Sequence, residues 1–186
     1  MPLKAVADTC FLIDWAYYRH KEALFDLFKA IYVTESVLNE LSDEPVISWV
    51  SEELARGRMG LLSESPDVSS EAYRLMFLSR REVRLRDLDY PEAVCLVLGK
   101  MLDLVVLTEN RAAVMAPFFL EECRDLNVWR ALEVIRELIL RGIIECAPNE
   151  TSVRVPFEEY MLDTRHLFSP SELKRVVEVI VRCLRR

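Results

Sequence analysis

Four short motifs place acidic side chains directly after predicted buried strands or in the first turns of predicted helices. Asp8 follows the apolar stretch 5–7, Glu40 lies in YVTESVLNEL, Glu92 in LDYPEAVCLVLG and Glu109 at the end of DLVVLTEN. In an open α/β sheet, ligands gather beyond the carboxyl ends of the parallel strands. Carboxylates brought together there repel one another unless a hard divalent cation lies between them. The pattern therefore predicts a site for Mg²⁺ or Mn²⁺.

Composition predicts one intracellular, cytoplasmic domain with an appendage. The chain has 186 residues, 52% of them apolar, and a net charge of −7. No apolar run approaches the roughly 20 residues of a membrane span, and the N-terminus lacks a signal-peptide pattern. The negative charge argues against a broadly basic nucleic-acid binder, although a cation can supply positive charge at an acidic site. An excess of Arg over Lys, scarce Gly and no Gln favour a thermophilic source.

The cysteines indicate neither a zinc site nor a fixed disulfide. Their spacing excludes a CxxC pair, and an odd number in a cytosolic protein favours buried thiols. A Cys123–Cys146 disulfide is the alternative if the source is a hyperthermophile.

Strand and helix patterns alternate along the chain, which predicts βαβ units and a parallel sheet. Thr34 is predicted to cap the helix that carries Glu40, and Pro91 to open the helix that carries Glu92. The predicted strands are 4–8, 31–33, 59–62 at an edge, 104–107 and 127–129. The other predicted helices are 11–18, 22–28, 46–56, 131–139 and one from Ser69 or Ser70 to Arg81.

The last part of the chain is predicted to form a separate extension. A boundary near 148–151 divides the chain into a domain at 1–147 and an extension at 148–186. Residues 152–157 are a weak strand candidate. Ser169 to Glu172 reads as a complete capping box, with Pro at the first helical position of a terminal helix.

The order and spacing of these motifs resemble those of the PIN-domain family over about residues 3 to 145. VADTCFLID resembles the family's strand–Asp–Ser/Thr–apolar start, and LDYPEAVCLVLG its Leu-Asp-x-Gly-Glu-Ala helix start. DLVVLTEN resembles the family's strand ending in Thr-Asp-Asp or Thr-Arg-Asn, and NVWRALEVIRELILRGII its closing segment. The resemblance implies a PIN-like, parallel-sheet α/β/α sandwich, here with a C-terminal helical extension.

The resemblance also implies a Mg²⁺- or Mn²⁺-dependent endoribonuclease that acts on RNA. Asp8, Glu40 and Glu92 match the three central metal-binding acids, and Glu109 lies where many members have Asp. As hypotheses, Asp8 and Glu92 ligate the metal, Glu40 acts through a water, and Glu109 holds a second metal or orients the nucleophile. The matching hydroxyl and substrate positions are Thr9, Thr108, Asn110 and Arg111. Many relatives are toxins, so an antitoxin protein is an implied partner.

Two departures from the family pattern leave alternatives open. Glu109 is one methylene longer than Asp, and Pro91 replaces the usual Gly. One alternative is therefore a catalytically degraded domain that binds RNA or protein. Another is a structural protein whose residues 150–186 dock to a second subunit, for example in a homodimer.

Several polar residues near the motifs have simpler interpretations. Asp14 is interpreted as solvated, and Asp89 as a turn residue or helix cap. His20 and His166 lie far from the motifs in sequence and are interpreted as surface or core residues. The arginines between 80 and 86 are typical of a solvated face, with guidance of RNA as the alternative.

Overall fold

The fold is built on a five-stranded, all-parallel sheet flanked by helices, so the predicted α/β class is confirmed. The computed structural model describes residues 3–185. The strand order is β3-β2-β1-β4-β5, with β1 in the centre. Strand β3 lies at an edge, as predicted. The strands are β1 (Leu3–Ala7), β2 (Phe28–Thr34), β3 (Met59–Leu62), β4 (Val105–Leu107) and β5 (Val128–Trp129).

Helices follow the strands and cover both faces of the central strand, where Ala5, Val6 and Ala7 have no exposed surface. This burial explains why the strand is apolar without alternation. The helices are α1 (Thr9–Tyr17), α2 (Leu24–Leu27), α3 (Glu35–Glu40), α4 (Glu44–Ala55), α5 (Pro66–Arg81), α6 (Tyr90–Leu102), α7 (Arg111–Phe119), α8 (Ala131–Leu140), α9 (Glu150–Thr164) and α10 (Pro170–Leu184).

Local capping decides where the helices that carry the acidic residues begin. The Thr34 hydroxyl accepts a hydrogen bond from the Val37 amide at 3.4 Å, which confirms Thr34 as the cap of α3. Helix α5 begins earlier than predicted, because Ser65 rather than Ser69 or Ser70 caps it and Pro66 follows at the first helical position.

Close packing fixes helix α6 against the sheet. A Cβ atom added at Gly99 would overlap the Val106 side chain of β4. Glycine therefore lets the second half of α6 approach β4 more closely than any other residue would.

The C-terminal residues form two helices, so the strand predicted at 152–157 is wrong. Asn149 caps α9 by accepting from the Ser152 amide at 2.9 Å. Phe157 and Tyr160 of this helix are fully buried in the same apolar core as the sheet. The division at residues 147 and 148 stays a prediction.

The predicted helix after Ser169 is confirmed, but its capping box is not. The Ser169 hydroxyl pairs with Ser171 at 3.0 Å and makes no capping hydrogen bond. Glu172 instead accepts from Arg130 at 3.2 Å, which ties the start of α10 to the start of α8.

The five cysteines are free, so no Cys123–Cys146 disulfide is formed. Cys95 and Cys123 are buried, as expected for structural thiols, whereas Cys183 is exposed. Within residues 3–185, no helix is both long and apolar enough to cross a membrane.

Candidate active site

The strand order creates a switch point between β1 and β4. The chain moves outward from β1 through β2 to β3 and then crosses to β4 on the other side of β1. Such a reversal opens a crevice at the carboxyl ends of the two central strands. Asp8 follows β1 and Thr108 follows β4, and the Asp8 amide donates to the Leu107 carbonyl at 2.9 Å. Asp8 and Thr108 therefore both lie in this crevice.

Asp8 is held rigidly although it is nearly buried, with 2% of its surface exposed. Its carboxylate accepts from its neighbour's amide, Thr9 N, at 2.8 Å, which begins helix α1. The Thr108 hydroxyl donates to the other oxygen at 2.8 Å, and the Cys10 thiol donates to it at 3.0 Å. Two strands and one helix therefore fix the orientation of this carboxylate.

Glu40 reaches the same crevice from the exposed end of α3. Its Oε2 atom accepts a hydrogen bond from the Thr9 hydroxyl at 2.7 Å. Thr9 follows Asp8 directly, so one dipeptide anchors two carboxylates that are far apart in the chain. Glu40 lies at the rim, whereas Asp8 lies at the floor.

Glu92 enters from the first turn of α6 and is 8% exposed. It accepts from the Asp89 amide at 3.0 Å and from the side-chain amide of Asn110. Asn110 caps α7, because its Oδ1 atom accepts from the Ala112 amide at 2.7 Å. The capping oxygen faces α7, so the NH₂ group of Asn110 must point at Glu92.

Asp8, Glu40 and Glu92 form what we call the acidic cluster. Within the described chain, no Lys, Arg or His nitrogen lies within 4.0 Å of their carboxylates. Burial raises the pKa of Glu92 to about 7, and the neighbouring charges of Asp8 and Asp89 act in the same direction. Burial also raises the pKa of Asp8. The cluster is thus short of positive charge.

Glu109 does not join the acidic cluster, although it directly precedes Asn110. One of its oxygens accepts from the Ala131 amide at 2.6 Å, and the other lies 3.4 Å from His166 Nε2. His166 Nδ1 lies 2.9 Å from Asp14 Oδ2. His166, although far from the motifs in sequence, thus contacts Glu109 of the fourth motif, and Asp14 is paired with His166 rather than simply solvated. Asp14, Glu109 and His166 form the second polar group, the His166 cluster.

Arg111 begins α7, is exposed, and lines a cleft of about 850 Å³ beside the His166 cluster. Phe118, Leu167 and Arg130 also line this cleft. The predicted substrate residues therefore separate: Thr9, Thr108 and Asn110 contact the acidic cluster, whereas Arg111 faces the neighbouring cleft.

Sequence reasoning missed Cys10 and Glu64. The Cys10 sulfur lies 3.3 Å from the Thr108 hydroxyl and accepts from the Glu109 amide at 3.2 Å. Glu64 follows β3 and accepts from the Ser36 amide at 2.7 Å. Glu64 lies just beyond a predicted parallel strand, and this position could have indicated that it lies at the same edge of the sheet as the acids. For Cys10, the only such indication in the sequence is that it lies two residues after Asp8.

The acidic residues do not form a ready-made cage for a metal. Among residues 3–185, no group of three or more His, Cys, Asp or Glu side chains has an arrangement that could hold a metal ion. Both oxygens of Asp8 and both oxygens of Glu92 accept hydrogen bonds from the protein. A direct ligand bond would therefore have to replace some of these contacts.

No known protein-family model and no curated protein matches the sequence.

The His166 cluster is expected to make stability depend on pH. The hydrogen bond to Asp14 raises the pKa of His166 above 6.5, and the charge of Glu109 acts in the same direction, although burial and nearby Arg130 oppose this. Burial raises the pKa of Glu109 to about 7. Both groups bind protons more tightly in the folded state, so their contribution is complete at low pH and is lost as pH rises. The free energy of unfolding should fall by at most about 1.4 kcal/mol per pH unit for each proton.

Urea unfolding of the wild type and of His166→Gln, from pH 5 to pH 9, measures this effect. The acidic cluster changes stability in the same direction, so the difference between the two proteins is the informative quantity. We expect that difference to shrink above pH 6.5, the ordinary pKa of histidine. A difference that is constant with pH would contradict the role given to His166.

Proposed function

We propose that this chain is a divalent-metal-dependent endoribonuclease of the PIN type. The observation that carries the proposal is the meeting of Asp8, Glu40 and Glu92 at the β1–β4 switch point without a basic partner. A structural group of buried acids would be stabilised by Arg or Lys, as Glu53 is by Arg56 and Arg58. The acidic cluster instead has hydroxyls, amides and a thiol around it.

The donor set of the acidic cluster fits Mg²⁺ or Mn²⁺. All its charged ligand atoms are carboxylate oxygens, which hard cations prefer. The absence of a three-residue cage within residues 3–185 is compatible with Mg²⁺, because this ion keeps several waters and needs only one or two protein carboxylates. Neutralisation by a cation would also relieve the repulsion between Asp8 and Glu92.

Each residue of the site has a proposed part in phosphodiester hydrolysis. When bound, a divalent ion would polarise the phosphate and make a water more acidic. Asp8 and Glu92 would hold the ion, and Thr108 and Asn110 would keep these two carboxylates oriented. Glu40, fixed by Thr9 at the rim, is placed to accept a hydrogen bond from water at the open side.

Arg111 is the proposed phosphate contact outside the acidic cluster. It is exposed at the beginning of α7, where the helix dipole adds positive potential. It directly follows Asn110, which contacts Glu92. An RNA backbone that extends from the acidic cluster into the neighbouring cleft would therefore bring a phosphate close to the Arg111 guanidinium.

Two matched substitutions test which glutamates hold the metal. Glu92→Gln should weaken Mn²⁺ binding at least about tenfold, because even indirect partners of metal ligands contribute about 10- to 100-fold. Glu109→Gln should leave Mn²⁺ affinity nearly unchanged, because its carboxylate contacts Ala131 and His166 instead. Titration calorimetry of both variants with Mn²⁺ gives the affinities.

Cleavage of labelled RNAs in Mg²⁺, Mn²⁺ or EDTA, using the same variants, links metal binding to activity. The proposal expects cleavage that needs the metal and that falls with Glu92→Gln. If Glu92→Gln binds Mn²⁺ as tightly as wild type, the metal site lies elsewhere. If wild type cuts no RNA, the proposed nuclease activity is contradicted.

The second candidate function is a PIN-like module that binds RNA or protein without cutting. It is favoured by one contact: Glu109, where many family members have an acid for catalysis, is held by the Ala131 amide. Asn110 occupies the adjoining position and supplies a neutral amide to Glu92. A wild-type protein with no measurable Mn²⁺ binding and no cleavage would favour this function.

The antitoxin partner, homodimer, cytoplasmic location and thermophilic source stay predictions.

A further inference from the structure

An exposed aromatic stripe runs along helix α5, beginning beside the acidic cluster. Tyr73 is 62% exposed and Phe77 57% exposed, although side chains of this size are normally buried. Positions four apart lie on the same helical face, so Tyr73, Phe77 and Arg81 form one row. The Arg81 guanidinium lies 5.5 Å from the centre of the Phe77 ring.

The stripe is joined to the acidic cluster through Tyr90. The rings of Tyr73 and Tyr90 are 5.0 Å apart and inclined by 33°, close to a stacked arrangement. The Tyr90 hydroxyl donates to Ser69 at 2.9 Å, which holds its ring in place. Tyr90 lies in the same first turn of α6 as Glu92. The rings of Tyr90, Tyr73 and Phe77 therefore follow one another from this turn along α5.

The far end of the stripe is positively charged in an otherwise acidic protein. Residues 80–87 contain four arginines and two acids, whereas the whole chain has a net charge of −7. Within the part of the chain that the structure describes, neither Arg81 nor Arg86 has a carboxylate within 4.0 Å. Arg84 pairs with Glu82, and Arg80 lies only at the limit of contact with Asp87, 3.9 Å away.

We propose that Tyr73, Phe77 and Arg81 form a track that binds single-stranded RNA and leads it to the acidic cluster. This inference rests on the proposed function for its substrate. Bases stack on exposed rings whatever their sequence, and arginines neutralise the backbone. The rise from Tyr73 to Arg81 is about 12 Å, enough for about three stacked bases. A duplex buries its base faces and cannot use the rings.

Binding can be measured apart from cleavage. The full chain in EDTA is titrated into a labelled, single-stranded oligoadenylate, and fluorescence anisotropy reports the Kd. Tyr73→Ala and Phe77→Ala should each raise the Kd about fivefold or more, whereas Tyr73→Phe, which keeps the ring, should stay within about twofold of wild type. Arg81→Gln should reduce the salt dependence of binding. A matched duplex should bind more weakly than the single strand.

Leu162→Ala is the matched control, because Leu162 is a large apolar residue that is 74% exposed but lies on α9, outside the stripe and outside the cleft beside Arg111. Its Kd should equal that of wild type. The track is overturned if wild type does not bind the oligoadenylate, if Tyr73→Ala binds as tightly as wild type, or if Leu162→Ala weakens binding as much as Tyr73→Ala. Thermal melting of each variant checks that the fold is kept.

The outcomes for the track and for the nuclease can be distinguished. If wild type cleaves RNA and Tyr73→Ala binds RNA normally, the proposed track is wrong and the proposed nuclease activity is supported. If RNA binding depends on the Tyr73 and Phe77 rings but no metal-dependent cleavage is found, the track is supported as an RNA-binding surface and the proposed nuclease activity is wrong.

Discussion

Replacement of Asp8 by asparagine is expected to lower metal-dependent RNA cleavage at least about 100-fold. Asp8 is the most central carboxylate of the acidic cluster, and partners one step removed from a metal already contribute about 10- to 100-fold. The substitution removes one negative charge while it keeps size and shape. Initial rates on labelled RNA, with Mg²⁺ or Mn²⁺ and with EDTA, measure the effect.

The fold should survive this substitution, which makes the result interpretable. Asparagine caps helices as well as aspartate does, so the side-chain oxygen of the replacement can still accept from the Thr9 amide. Burial also penalises the charge of Asp8, so its removal relieves part of that cost. The NH₂ group of asparagine would replace the oxygen that accepts from Thr108 and Cys10, which offsets this gain. We therefore expect the thermal stability of the metal-free variant to stay close to that of wild type.

Asp14→Asn is the matched control for Asp8→Asn. It makes the same chemical change on the same helix, but the Asp14 carboxylate contacts His166 and not the acidic cluster. Its cleavage rate should stay close to that of wild type. Equal loss of cleavage in both variants, or full cleavage by Asp8→Asn, would contradict the assignment of Asp8 as a metal ligand.

Replacement of Asn110 by aspartate is expected to increase Mn²⁺ affinity about tenfold, because carboxylate number tunes the affinity of such sites. Asn110 directs its NH₂ group at Glu92 while its oxygen caps α7. Aspartate would keep the cap and turn a second carboxylate oxygen towards Glu92. The substitution thus adds a charged ligand atom without moving the backbone.

The same substitution should destabilise the protein when no metal is bound. Glu92 would lose a hydrogen-bond donor and gain a neighbouring negative charge, at a cost of about 1–3 kcal/mol. Urea unfolding with EDTA and with Mn²⁺ measures both effects, and Mn²⁺ should restore the lost stability. Asn110→Ser, which can cap α7 without an added charge, is the control. Weaker Mn²⁺ binding by Asn110→Asp than by Asn110→Ser would contradict a metal site beside Glu92.

Local sequence patterns were sufficient to predict most of the sheet and the Thr34 cap near the site. Apolar residues 5–7 ahead of Asp8, and Thr34 ahead of the helix with Glu40, were interpreted correctly because burial and capping act over a few residues. The error at the start of α5 is also local. Ser65-Pro66 is the stronger start signal, since Pro is favoured at the first helical position.

The wrong strand at 152–157 shows how β-branched residues can mislead. Val153 and Val155 favour a strand locally. Buried residues recur instead with helical spacing at Val153, Pro156, Phe157 and Tyr160. Burial of this stripe against α1 and α8 outweighs the local preference, and the spacing was present in the sequence.

The sequence by itself determined the elements and the edge of the sheet at which the acids gather, because strand ends and helix caps are local features. Only the tertiary structure decided which of two adjacent residues, Glu109 or Asn110, faces the acidic cluster. The choice depends on Asn110 capping α7 and on His166 reaching Glu109. Arg165, in a left-handed conformation, ends α9 and turns the chain so that His166 arrives there. Such a contact joins residues far apart in the chain, and its energy comes from packing that no local pattern encodes.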